Sequence, residues 1–275
     1  MLVAAAQINI TLGSKGANLE KCLKLIGLAA GQGVKLVVFP ECNLTGYDFT
    51  SYEQAFPLSE KVPGESTGIL IGACRDYGIA VMVGLLERQE ERFYNTAVLI
   101  TPEGLQGVYR KTHLLCLGVD RFASKGQELP VFRTKLGKLA ALICYDQRFP
   151  EAARVLALKG AQVILNPANL PEGAEAYANF LNRSRACENR VFIISANRIG
   201  EESGVRYLGK SQIVDYSGKV LAEGGKSVEE LVKAEIIPDK SNLKHVINRP
   251  GEYEYDIFND RRPELYSTIV EKNIK

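Results

Sequence analysis

Short apolar runs alternate with segments of helical period along most of this 275-residue chain, and that alternation narrows the fold more than any other feature. Residues 2–9, 35–39, 79–86, 94–101 and 105–110 read as strands in the first half. Between them, 17–31 carries Leu19, Cys22, Leu23, Ile26, Ala29 and Ala30 on one helical face, and a second helix spans 66–77 and closes at Gly78. The second half repeats the layout. A strand at 138–143 leads into a helix at 149–159, and a strand at 162–166 leads into a helix over 174–189. That last helix is expected to bury a stripe of Tyr177, Phe180, Leu181, Ser184 and Cys187. Strands at 191–196, 210–216, 219–223 and 231–236 follow. Helices interleaved with buried strands predict an α/β protein whose helices pack on its sheets. No low-complexity linker divides the chain, so 1–275 is expected to form a single domain. Residues 238–275, broken by Pro238, Pro250 and Pro263, read as a C-terminal extension packing on a partner subunit.

Composition excludes several function classes. Hydrophobic residues make up 46% of the chain, enough for a full core. Lys and Arg number 34 against 32 Asp and Glu, and no long basic stretch exists to follow a phosphate backbone. Nucleic acid is therefore not an expected partner. The opening MLVAAAQINI lacks a basic n-region and is interrupted by Gln7 and Asn9, so it reads as a strand and not as a secretory signal. No run approaches the ~18–20 apolar residues of a membrane span. Six cysteines without a CxxC pair predict free thiols and a cytoplasmic protein. Two histidines, with no HExxH and no Cys/His cluster, predict no protein-ligated metal.

Three strand ends carry reactive side chains: Glu41 after KLVVFP, Lys111 after GVYR and Cys144 after LAALI. Ligands of α/β sheets bind beyond the carboxyl ends of the strands. Cys144 lies between a buried strand and a helix whose first turn contains Pro150 and Glu151, a setting that favours a thiolate. The Tyr145 N–H at such a turn is free to face an oxyanion. Cys22, Cys74 and Cys187 on helix faces, and Cys42 beside Glu41, read as packing; Cys116 reads as a loop residue. Chemistry alone ranks a Cys144–His113 pair first, because histidine is the commonest activator of a thiol.

Larger motifs point elsewhere. FPECNLTGY (39–47), YNTAVLITPEG (94–104), YRKTHL (109–114), CYDQRFPEAARVLALKGA (144–161) and RSRACENRVFIISANRIG (183–200) together resemble the nitrilase superfamily of carbon–nitrogen hydrolases, in order and in spacing. The resemblance runs to about residue 236. It implies a four-layer α-β-β-α sandwich, a homodimer or larger homo-oligomer, and no cofactor. It also implies a Glu41–Lys111–Cys144 triad, which leaves His113 as a structural neighbour. Glu41 is then the general base, the Lys111 ammonium and the Tyr145 N–H stabilise the tetrahedral intermediate, and Cys144 forms a thioester. Many members of the superfamily carry a second glutamate between the lysine and the cysteine. Here the region reads LGVDRFASKGQ, and the counterpart is Asp120 or, with no gap, Val119.

Tyr47, Tyr94, Tyr145 and Asn169 are expected as substrate-pocket walls. Arg148 either contacts a substrate carboxylate or pairs with Glu151. Arg185 and Glu188 are spaced for an i,i+3 pair. Gln147-Arg148 stands where N-carbamoyl-D-amino acid hydrolases of the superfamily carry paired arginines. The expected reaction is hydrolysis of a small linear amide to a carboxylic acid and ammonia. The alternatives are a nitrilase, an N-carbamoyl amine hydrolase and, from another class, a binding or scaffold protein without activity.

Overall fold

The computed structural model describes residues 1–272. The first half supplies β1 (Leu2–Gln7), α1 (Lys15–Gly31), β2 (Leu36–Val38), α2 (Tyr52–Ala55), α3 (Glu65–Tyr77), β3 (Ala80–Gln89), β4 (Arg92–Thr101) and β5 (Gly104–Arg110). The second supplies β6 (Val131–Thr134), β7 (Gly137–Ala141), α4 (Pro150–Leu158), β8 (Val163–Ala168), α5 (Asn182–Asn189) and β9 (Phe192–Asn197). After these come a small hairpin, β10 (Glu201–Glu202) with β11 (Val205–Arg206), then β12 (Gln212–Val214), β13 (Val220–Glu223) and β14 (Glu230–Glu235). The tail adds a separate hairpin, β15 (His245–Arg249) with β16 (Tyr253–Asp256).

Two six-stranded sheets result, ordered β14-β1-β2-β3-β4-β5 and β13-β12-β9-β8-β7-β6. In each, a parallel centre is flanked by antiparallel strands: β1, β2 and β3 run parallel, as do β7, β8 and β9. Strand alternation sorts the apolar residues into layers. On β1, Val3 and Ala5 face the second sheet, where they meet residues such as Ile164 and Ile194. Ala4 and Ala6 face the opposite way, onto Leu19, Cys22 and Ile26 of α1 and Leu70 and Cys74 of α3. On the far side, Leu156 of α4 and Ala186 of α5 cover the second sheet. The layers are therefore helix, sheet, sheet, helix, the α-β-β-α sandwich expected from the motifs.

The expected 174–189 helix requires correction. A π-helical turn, Tyr177–Leu181, precedes α5. Its extra residue per turn shifts the phase of the buried face. Ala178, Asn182, Arg185, Ala186 and Asn189 are buried, while Phe180 and Cys187 are exposed. The expected stripe is thus rotated away from the core. Several elements escaped the sequence reading: the short helix α2, the edge strand β6 paired with β7, and the β10–β11 and β15–β16 hairpins.

Candidate active site

Four strand ends meet around one cavity of about 200 Å³; three of their residues line it, and the fourth, Lys111, is buried against Glu41. Glu41 follows β2 by way of Phe39 and Pro40, and Lys111 directly follows β5. Cys144 opens a short 3₁₀ turn (Cys144–Arg148) just beyond β7, and Asn169 directly follows β8. The first two belong to one sheet and the last two to the other. Cys144 has φ = 46°, a left-handed conformation that is strained for a residue with a side chain. Such a turn pushes the thiol out of the strand line and into the cavity.

Lys111 is fully buried and its ammonium lies between two carboxylates. Nζ donates to Glu41 Oε1 at 2.6 Å and to Asp120 Oδ2 at 2.6 Å. Asn95 Nδ2 bridges the same pair, at 2.7 Å from Glu41 Oε1 and 2.9 Å from Asp120 Oδ1. Asp120 also accepts the Leu115 N–H at 3.1 Å. Val119 packs instead into a small apolar cluster with Tyr47 and Phe93. Of the two residues considered for the second carboxylate, Asp120 is thus the one that faces the lysine. Glu41 Oε2 is buried and has no hydrogen-bond partner among the described residues. Asn169 Nδ2 donates to the Glu41 carbonyl at 3.0 Å and so fixes the backbone beneath the carboxylate.

Burial raises the Glu41 pKa and Asp120 adds to that effect; Lys111 and Asn95 pull the other way without cancelling it. Burial also works against the Lys111 charge, but the two carboxylates outweigh it and hold the ammonium protonated. The Cys144 thiol is pushed well above its usual range by burial and by Glu41, against the opposite pull of Lys111 and of the Asn169 backbone N–H. The resting sulfur is a thiol. Such a thiol would need a base to act as a nucleophile, and Glu41, whose Oε2 has no hydrogen-bond partner among the described residues, lines the same cavity.

Tyr47, Tyr145, Arg148 and Asn169 line the cavity with Glu41 and Cys144, and Leu115, Leu117, Leu170 and Tyr177 complete much of the wall. Arg148 is not paired with Glu151: its Nε donates to the Tyr177 hydroxyl, and its guanidinium lies 4.7 Å from the centre of that ring. The Arg185–Glu188 pair forms at 2.9 Å, and Arg185 Nε also donates to the Gln147 carbonyl. Tyr94 is the expected wall residue that the fold places elsewhere. It lines a separate cavity of about 460 Å³ with Glu87 and Arg110, whose guanidinium stacks 4.2 Å from its ring centre. Period-two alternation turns Tyr94 and Asn95 to opposite faces of β4, so Asn95 takes the active-site face. His113 is likewise not a cavity residue. Its Nδ1 lies 2.7 Å from Asp146 Oδ1, and its ring stacks on Phe149 with centroids 3.7 Å apart. Asn95, Asp146 and Tyr177 were missed by the sequence reading. An amide side chain at the head of the buried run YNTAVLI is the one signal that could have pointed to Asn95.

A carbon-nitrogen hydrolase family model matches residues 2–242. A nitrilase of Pyrococcus abyssi (strain GE5 / Orsay) is 40% identical over 265 residues, covering 96% of this chain and 98% of that one. Omega-amidase NIT2-B of Xenopus laevis is 34% identical, with 94% of each chain covered. Among solved structures, a mutant amidase from Nesterenkonia sp. AN1, carrying the product of Michael addition of acrylamide at its active site cysteine, superposes with a TM-score of 0.81. It is 26% identical, over 98% of this chain and 100% of that one.

Proposed function

The chain belongs to the carbon–nitrogen hydrolase family, and within it we propose an amidase that converts a small linear amide to its acid and ammonia through a thioester on Cys144. One observation carries this reading: an ammonium clamped by two carboxylates stands beside a cavity that Cys144 and Glu41 share. Glu41 takes the thiol proton as sulfur attacks the amide carbon. The Lys111 ammonium and the Tyr145 N–H hold the charge on the tetrahedral oxygen, each donor lowering the barrier by about 3–4 kcal/mol. Glu41 returns the proton to nitrogen as the C–N bond breaks and ammonia leaves. It then takes a proton from water, which attacks the thioester carbon and frees the acid and the thiol. Asp120 keeps Lys111 charged and in place throughout. The roles of Glu41, Lys111 and Cys144, and of Tyr47, Arg148 and Asn169 as walls, rest on this geometry.

The small cavity favours a short acyl chain, and Arg148 at its wall offers a cation to a terminal carboxylate. The relative named omega-amidase supports an amide substrate. A nitrile is the second reading, favoured by the 40%-identical relative named nitrilase. Ammonia release from propionamide, succinamate, propionitrile and N-carbamoylglycine separates these. Faster turnover of the amides supports the proposal, and a preference for propionitrile replaces it. Cys144→Ala is expected to lower turnover by about four orders of magnitude or more while the protein stays folded. Retained hydrolysis would remove the thioester step.

Six free cysteines accord with a reducing compartment such as the cytoplasm. No helix among the described residues is long and apolar enough to cross a membrane. Apolar side chains of the tail, Leu243, Ile247, Tyr253 and Leu265, are more than half exposed and suit a second copy of the chain.

A further inference from the structure

We infer that Asp146 is the positioning residue that locks the nucleophile to the lysine across the two sheets. The inference rests on the catalytic reading of Cys144 and Lys111. Asp146 lies two residues after Cys144, is fully buried, and is not a wall of the cavity, so it acts through its neighbours.

Its carboxylate reaches in two directions. Toward its own turn, Oδ2 accepts the Ile143 N–H at 2.9 Å, while the Asp146 N–H donates to the Ile143 carbonyl at 3.0 Å. The residue before Cys144 is held on both backbone polar groups, which sustains the left-handed φ of the nucleophile. Toward the other sheet, Oδ2 accepts the Tyr109 hydroxyl at 2.7 Å. Oδ1 takes the Thr112 hydroxyl at 2.9 Å, the His113 N–H at 2.9 Å and His113 Nδ1 at 2.7 Å. Tyr109, Thr112 and His113 flank Lys111 on both sides. A carboxylate that only capped its turn would spend its contacts on that turn; here all but one go to the lysine segment. Buried networks of this kind fix geometry because every member is satisfied. A displacement of about 1 Å between reacting groups is enough to cost ~10²-fold in rate. Asp146 thus gives His113 a place in the site without a proton-transfer role.

Asp146→Asn keeps the shape but replaces one acceptor oxygen by an NH₂ that meets donors. The readout is alkylation by iodoacetamide, resolved by peptide mass spectrometry, with exposed Cys116 as internal reference and buried Cys22 and Cys74 as reporters of unfolding. In the variant, Cys144 is expected to label about 10- to 100-fold more slowly relative to Cys116, with Cys22 and Cys74 still protected. The kcat for propionamide falls by a similar factor and KM shifts less than about threefold. An unchanged Cys144-to-Cys116 ratio in the folded variant overturns the inference. Should Asp146→Asn fail to fold, Thr112→Ala decides: a slower Cys144, recovered in large part by Thr112→Ser, supports the bridge, and a wild-type ratio in Thr112→Ala overturns it. A wild-type protein that keeps its propionamide turnover after Cys144 is fully alkylated overturns the catalytic reading as well. A reactive wild type with an equally reactive Asp146→Asn overturns the bridge alone.

Discussion

Lys111 has two buried carboxyl groups beside a single ammonium. Glu41 and Asp120 both contact it from buried positions. Burial, with Asp120 adding to it, raises the Glu41 pKa on folding. The protonated form is the one the fold favours. Its stabilising contribution is whole below the unfolded value near ~4.3 and is lost as pH rises through the higher folded value. Glu41→Gln removes that cost, since Gln Oε1 still accepts from Asn95 and its NH₂ occupies the place of the unpartnered Oε2. The variant is expected to melt above the wild type at pH 7.5, with the gap closing toward pH 4, while amide hydrolysis collapses. A lower Tm than wild type at pH 7.5 would contradict the assignment of Glu41 as a strained base. At this scale apolar runs mark Glu41, Lys111 and Cys144 only as strand ends, and it is the family resemblance that joins them into one set, which the fold brings together. The motifs left Asp120 and Val119 undecided, since that choice depends on how a 3₁₀ turn, Gly118–Arg121, rotates its side chains.

Element boundaries decide which side chains reach the cavity. Most strands and helices were legible from apolar period alone, because buried parallel strands and one-sided helices leave strong patterns. The Tyr177–Leu181 π turn was not. One extra residue changes no composition, yet it exchanges the expected buried stripe for Arg185 and Asn189 and brings Tyr177 to Arg148. The β2–α2 connection depends on a close approach that a single sequence hides equally well. A Cβ on Gly84 of β3 would lie 2.6 Å from the Pro40 carbonyl oxygen and 2.5 Å from the Cys42 nitrogen, on either side of Glu41. Gly84→Ala must therefore shift backbone. It is expected to cost about 1–3 kcal/mol of stability in denaturant unfolding. It should also lower kcat more than the melting shift explains, because Glu41 moves with the segment. Wild-type stability in Gly84→Ala would show the approach to be loose.

On the scale of the whole molecule, the site exists only where the two sheets meet. Glu41 and Lys111 come from one and Cys144 and Asn169 from the other, so no half of the chain holds a usable set. The tail stands outside that junction and was legible only as a proline-broken stretch, because its short hairpin and 3₁₀ turns are too brief to set a period. A homodimer through this surface is expected to sediment as a dimer at micromolar concentration. Ending the chain at Asn242 should yield a monomer. A monomeric full-length chain, or a dimeric truncation, would place the interface elsewhere.

The two carboxyl groups that flank Lys111 also bear on how the proposed turnover would end. Hydrolysis would turn a neutral amide group beside Glu41 into a carboxylate, close to a second carboxyl at Asp120. Like charges held near each other repel. The acid is therefore expected to be held less well than the amide it came from, so that making the product would loosen its own grip on the cavity.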